Sequence, residues 1–206
     1  MKFKWNDRTK KAMLRGVQRG VASAAVIVQN EIKEKLTSGG ASNIGSGGKS
    51  SPPGGPPAVN TGHLLRSIQI DGSKIKTANP FVRIGTNVTY APIHEFGGRI
   101  LPKNAKALAV PIGIEGRRAS RQAGWRSDKN SAGRIRSLDL SFIPRKGKAP
   151  LLAETHSDGS MTPLFVLMKS VTIPARPFMR PSLIKAKKRM LKVAGQEIRR
   201  AITSAA

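Results

Sequence analysis

Seven apolar residues, Leu14, Val17, Val21, Ala24, Val28, Ile32 and Leu36, recur every three or four positions and so share one face of a helix over 7–36. Asn6 or Asp7 can cap its start, and Gly39-Gly40 stops it. Gly16 and Gly20 weaken it by roughly 1 kcal/mol each relative to Ala, while the small residues from Ala22 to Ala25 suit the close approach of a neighbouring helix. A second helix is predicted over 181–202. Pro181 fits a first helical position, and Ile184, Leu191, Ala194, Ile198 and Ile202 make an apolar stripe opposite Lys185, Lys187, Lys188 and Arg199. Both stripes need an apolar surface to cover them, and the sequence between them must supply it.

That intervening sequence divides by composition. Residues 37–60 hold seven Gly and four Pro, with only Ile44 and Val59 as sizeable apolar residues. Such a stretch buries too little surface to offset its ordering entropy, and a flexible loop is expected. Residues 61–114 read as a β-rich core. Ile68 and Ile70 alternate with polar residues, Asp71-Gly72 offers a tight hairpin or a bulge, and Phe81-Val-Arg-Ile-Gly85 returns after the turn at Thr77-Ala-Asn-Pro80. Ala105 to Ile114 forms a further strand, with Pro111 marking an edge or bulge. Residues 115–160 look like an Arg-rich excursion. In 161–180, the run Leu164-Phe-Val-Leu-Met-Lys-Ser-Val171 reads as a strand buried on both faces, followed by a Pro-rich corner. The expected fold is α+β: one domain over 1–206, with two amphipathic helices on a mostly antiparallel sheet of about four or five strands.

Thirty-seven Lys and Arg against 11 Asp and Glu leave a formal charge of +26. It gathers in three places: seven basic against one acidic residue in 1–19, ten against two in 116–148, and nine against one in 176–200. Self-repulsion on this scale points to a polyanion or an acidic partner. Contacts of that kind are expected from Arg117, Arg118, Arg121, Arg126, Arg134 and Arg136, and from Lys185, Lys187, Lys188 and Arg189. The bland alternative for any single cluster is a solvated surface. No apolar run approaches the length of a membrane span, no signal peptide is expected, and no membrane partner is expected. The absence of cysteine excludes disulfides and thiolate metal sites.

Catalytic patterns are weak. Gly48-Lys49-Ser50 ends like a phosphate-binding loop, but Asn43 stands where that motif needs its first Gly. His63, His94 and His156 are too scattered for a metal site. His94-Glu95 could form a general-base pair, yet adjacent residues point apart, and an acid in such a turn more often caps backbone amides or pairs with an Arg. Glu31, Asp71, Glu95, Glu115 and Glu154 show no motif spacing. The expectation is a protein that is not an enzyme and needs no cofactor.

Two stretches carry the most information: Tyr90-Ala-Pro-Ile-His-Glu-Phe-Gly-Gly98 and Thr172-Ile-Pro-Ala-Arg-Pro-Phe-Met-Arg-Pro-Ser-Leu183. Each sets aromatic residues beside Gly or Pro at fixed offsets, the pattern of rigid turns pinned to a core. Tyr90 and Phe96 are expected to pack inward, and Phe178 to anchor the start of the last helix. With Thr61-Gly-His-Leu-Leu-Arg-Ser-Ile68, these blocks resemble the tailed-phage virion morphogenesis family of the phage Mu G type and the related siphophage tail components. The matching positions are Thr61, Gly62, Leu64, Ser67 and Ile68; Tyr90, Ala91, His94, Glu95, Phe96 and Gly97; and Pro174, Ala175, Arg176, Pro177 and Phe178.

The resemblance implies a structural protein of the head–tail junction, a tail-completion or neck-ring component found in the virion and assembled in the host cytoplasm. It implies a homo-oligomeric ring, six copies being the expected count, with neighbouring neck and tail proteins and passing genomic DNA as partners. The segments at 37–60 and 115–148 are long for that family and would carry contacts particular to this chain. The competing reading is a non-specific basic nucleic-acid-binding protein.

Overall fold

The computed structural model describes residues 6–39, 51–103, 105–122 and 138–205. The fold is α+β, as expected, with a helix at each end and antiparallel sheets between. The single domain expected over 1–206 resolves into two compact units. One comprises the described parts of 1–42, 50–96 and 175–206; the other comprises chiefly 97–174.

In the first unit, α1 (Asp7–Thr37) starts where the sequence places it. The Asn6 side chain accepts a hydrogen bond from the Arg8 N–H at 3.0 Å, satisfying one of the amides a helix start leaves open. A short α2 (His63–Arg66) follows, then β1 (Gln69–Asp71) paired antiparallel with β2 (Arg83–Gly85), Ile70 opposite Ile84. Asp71-Gly72 forms no tight hairpin. It opens a longer connection in which the Asp71 carboxylate accepts from the Ser73 N–H. Next come α3 (Ala91–Phe96) and, after the second unit, α5 (Met179–Thr203). Val28, Ile32, Leu36, Leu64, Ile68, Val88, Ala91, Phe178 and Ala186 make one core.

The α1–α5 packing bears out the predicted α1 stripe, whose Ala24, Val28, Ile32 and Leu36 are buried, and corrects that of α5. Gly16 and Gly20 are buried, and α5 lies against them. A Cβ at Gly16 would fall 2.8 Å from Ala201 Cβ, and one at Gly20 3.0 Å from Ala194 Cα. The glycines that weaken α1 locally are what let the helix axes approach. An interface this close admits small residues, so the buried face of α5 is Ser182, Ala186 and Ala201, while Ile184 (66% exposed) and Leu191 (59%) point outward. Pro181 sits in the first turn of α5 but not at its first position.

The expected flexible loop at 37–60 is held where it is described. Its far end packs on this unit, with the Gly54 N–H donating to the Ala175 carbonyl at 2.9 Å and Arg176 Nε to the Ser51 carbonyl at 2.9 Å. Residues 40–50, and with them Gly48-Lys49-Ser50, lie outside the described residues.

The second unit contains β3 (Gly98–Ile100), β4 (Leu108–Pro111), α4 (Gly113–Gln122), β5 (Ser141–Ile143), β6 (Leu151–Thr155), β7 (Met161–Met168) and β8 (Val171–Ile173). Four strands make its main antiparallel sheet in the order β4-β7-β6-β5; β3 and β8 pair separately. The Arg-rich excursion is therefore corrected: 115–160 supplies most of a helix and two of the four main strands. The predicted long strand over 164–171 divides at Met168 into β7 and β8. Neighbouring Leu164 (3% exposed) and Phe165 (0%) are both buried, so β7 is covered on both faces there, with Ala119 of α4 joining that core. Pro111 ends the edge strand β4, where a missing N–H breaks no ladder. Pro163 lies in central β7 but faces the irregularity at Leu152/Ala153, the kind of place a sheet tolerates proline.

Candidate functional site

The three motif blocks converge around the start of α5. In the first block, Gly62 takes φ +71° to turn the chain into α2, a left-handed conformation that glycine adopts without a steric penalty. Thr61 receives Arg66 on its carbonyl at 2.8 Å and the His63 N–H on its hydroxyl at 3.3 Å. Leu64 and Ile68 are core residues. The Ser67 hydroxyl meets that of Thr86 at 2.6 Å and donates to the Leu64 carbonyl at 2.8 Å.

The second block is organised by Glu95. This carboxylate is buried (8% exposed) and accepts three backbone N–H groups of α5's start: Phe178 at 2.8 Å, Met179 at 2.9 Å and Arg180 at 2.9 Å. No side chain of α5 itself caps the helix. Glu95 satisfies orphan amides and places a negative charge at the positive end of the helix dipole. Both its oxygens are therefore engaged by the start of α5. His94 instead has its ring edge-on to Tyr90 at 5.7 Å, and its Nδ1 is buried with no partner among the described residues. Burial, and secondarily the Arg176 guanidinium, hold its pKa below the usual histidine range.

The third block locks onto the second. The Arg176 N–H donates to the His94 carbonyl at 2.6 Å, and Phe178 is fully buried as the anchor of the corner. Ala175 receives Gly54 as described; Pro177 spaces Arg176 from Phe178. Gly97 and Pro174 belong to the second unit, Gly97 with φ +69°.

The aromatic residues of the second block correct the sequence reading. Tyr90 is 40% exposed and Phe96 79% exposed, although both were expected to pack inward. A six-residue helix that turns Ala91 and Glu95 into the core leaves Phe96, about 100° around the helix from Glu95, outside that core. Phe96 rims an apolar groove of about 580 Å³, lined also by Val82, Ile84, Pro92, Met179 and Leu183. Sequence reasoning missed this groove because its residues come from α1, β2, α3 and α5.

The predicted basic contacts are dispersed. Arg118 pairs with Glu115 at 3.1 Å on α4, where Arg117 is half-buried; of Arg121 only the backbone is described; Arg126, Arg134 and Arg136 lie outside the described residues. Lys185 is held by the buried Glu31, a hydrogen bond and charge contact that raise its pKa. Lys187, Lys188 and Arg189 are exposed. Among the described residues no group of three His, Cys, Asp or Glu could hold a metal, and no helix is long and apolar enough to cross a membrane.

Residues 4–97 match the profile of the HK97-gp10-like family, described as "Bacteriophage HK97-gp10, putative tail-component". That stretch carries the pattern of a family of tailed-phage tail components. It takes in α1 to α3 and two of the three motif blocks; Thr172–Leu183 lies beyond it. No curated protein and no solved structure matches the chain significantly.

Proposed function

We propose that this protein is a structural subunit of the phage head–tail junction, a neck-ring or tail-completion component of the Mu G type that works by docking. The observation that carries the reading is Phe96: a large aromatic, 79% exposed, in a family-matched segment and at the rim of an apolar groove. A single exposed apolar residue is ordinary, but a contiguous apolar groove with a rigid backbone is the profile of an interaction site.

A ring needs two different complementary patches on each subunit. The groove is one. The other is the outward face of α5, where Ile184 and Leu191 stand exposed seven residues apart. A second copy offering that ridge to the groove closes a homo-oligomeric ring, hexameric by the family expectation, with tail proteins as axial neighbours and DNA passing through. The protein then resides in the virion after assembly in the host cytoplasm.

Particles labelled on this chain should show label at the head–tail junction by electron microscopy; label elsewhere or absent refutes the location. Phe96→Ala should leave the thermal midpoint of the isolated protein within about 2 °C, as expected for a surface substitution, and abolish incorporation into particles. Normal incorporation would remove the groove from the proposal.

A further inference from the structure

A second surface, remote from the motif blocks in sequence, has a different chemistry. Arg8, Lys11, Arg15 and Arg19 fall at intervals of three and four on α1 and are all exposed. Together with Ala12, with Ala201 of α5 and with Ser204 and Ala205 just beyond its end, they line one cleft of about 350 Å³. At 1.5 Å rise per residue the stripe runs about 16 Å along the helix. Arg19 leans on Glu197 at 3.6 Å, and Glu197 is shared with Arg200 at 3.2 Å. Asp7 pairs with Lys10. Among the described residues no carboxylate lies within ion-pair distance of Arg8, Lys11 or Arg15.

Like charges at these intervals destabilise a helix. The carbonyl end of α5, capped at Ser204 beside the stripe, offers about half an elementary charge in compensation, too little for three cations. The arrangement calls for an external anion that spans several residues. Its lining identifies the class. A protein partner's interface has an apolar core of aromatic and large aliphatic residues. Here the residues between the cations are alanine and serine. Nucleic-acid interfaces are polar, strongly positive and rich in Arg, whose planar fork suits phosphate oxygens.

We propose that the Arg8–Lys11–Arg15–Arg19 stripe is a binding surface for the phosphate backbone of duplex DNA, read without regard to sequence. It stands on α1 and α5 alone, so its failure leaves the reading of the groove untouched, and the reverse holds too.

The test is fluorescence anisotropy of the full chain with a labelled mixed-sequence DNA duplex over a range of salt. Arg8→Gln, Lys11→Gln and Arg15→Gln together should reduce the slope of log affinity against log salt by about 2.7, three contacts at about 0.9 each. Neutralising an equal number of exposed lysines away from the stripe (Lys74→Gln, Lys76→Gln, Lys103→Gln) should reduce it by less than about 1. Arg8→Lys with Arg15→Lys should keep the wild-type slope, and circular dichroism should show every variant folded. Equal losses from both triple variants, or none from the stripe variant, overturn the proposal. So does tighter stripe-dependent binding of a poly-glutamate peptide than of DNA at the same salt, which would make the partner an acidic protein.

Discussion

At the scale of single residues, the second motif block has one purpose that the structure makes concrete: it delivers a carboxylate to the open end of a helix 83 residues downstream. Glu95→Ala removes three hydrogen-bond acceptor contacts from amides that are largely buried, and should destabilise the protein by about 2–3 kcal/mol. Glu95→Gln keeps an acceptor without the charge and should lose about half as much. Urea denaturation of the three proteins separates these outcomes; an Ala variant within about 0.5 kcal/mol of wild type would mean the amides find other partners. His94 next door predicts a pH dependence. Its pKa is lowered in the folded state, so the unfolded chain takes up a proton first as pH falls. Stability should be complete above about pH 6.5 and decline below it, and His94→Phe should flatten the decline between pH ~7.5 and pH ~5. The same slope in wild type and variant would assign the acid sensitivity to other groups.

At the scale of elements, the start and stop of α1 were legible because caps are local chemistry: Asn6 is the cap, and α1 ends just before Gly39. The buried face of α5 was not legible, because it is chosen by the glycines of a helix far away in sequence. Ile184 and Leu191 look like core, yet α5 turns Ser182, Ala186 and Ala201 inward, and Gly16 and Gly20 bring α1 directly against Ala201 and Ala194. The strands β5 and β6 were hidden for a related reason. Three to five residues carry too little periodicity, and each strand is fixed by a partner: β6 pairs with β7, and β5 with β6. Two glycine substitutions test the close packing. Gly16→Ala places a Cβ 2.8 Å from Ala201 Cβ and 2.9 Å from Ile198 Cα, and should destabilise by about 1–3 kcal/mol despite the better helix propensity. Gly195→Ala meets nothing within 4 Å and should stabilise by about 0.5–1 kcal/mol. Thermal melts of opposite sign are the expected result. A stabilising Gly16→Ala would show that the helices can part at little cost.

At the scale of the whole molecule, the α+β class and the two terminal helices followed from periodicity alone, whereas the division into two units did not, since no change in composition announces it at residue 97. The first unit leaves off at Phe96 and resumes at Ala175, and its two ends are joined by the Arg176 N–H on the His94 carbonyl. The family match stops at 97, where the second unit takes over. Replacing 97–174 with a short Gly/Ser turn should therefore leave the first unit folded, with its helical dichroism and a single cooperative melt retained. Loss of both would mean that the first unit depends on the second for stability. If the excised protein folds, the His94–Arg176 clasp is a natural grafting point. The 78 residues between its two ends then become an exchangeable cassette, since any insert that closes at the same clasp leaves the first unit folding unchanged.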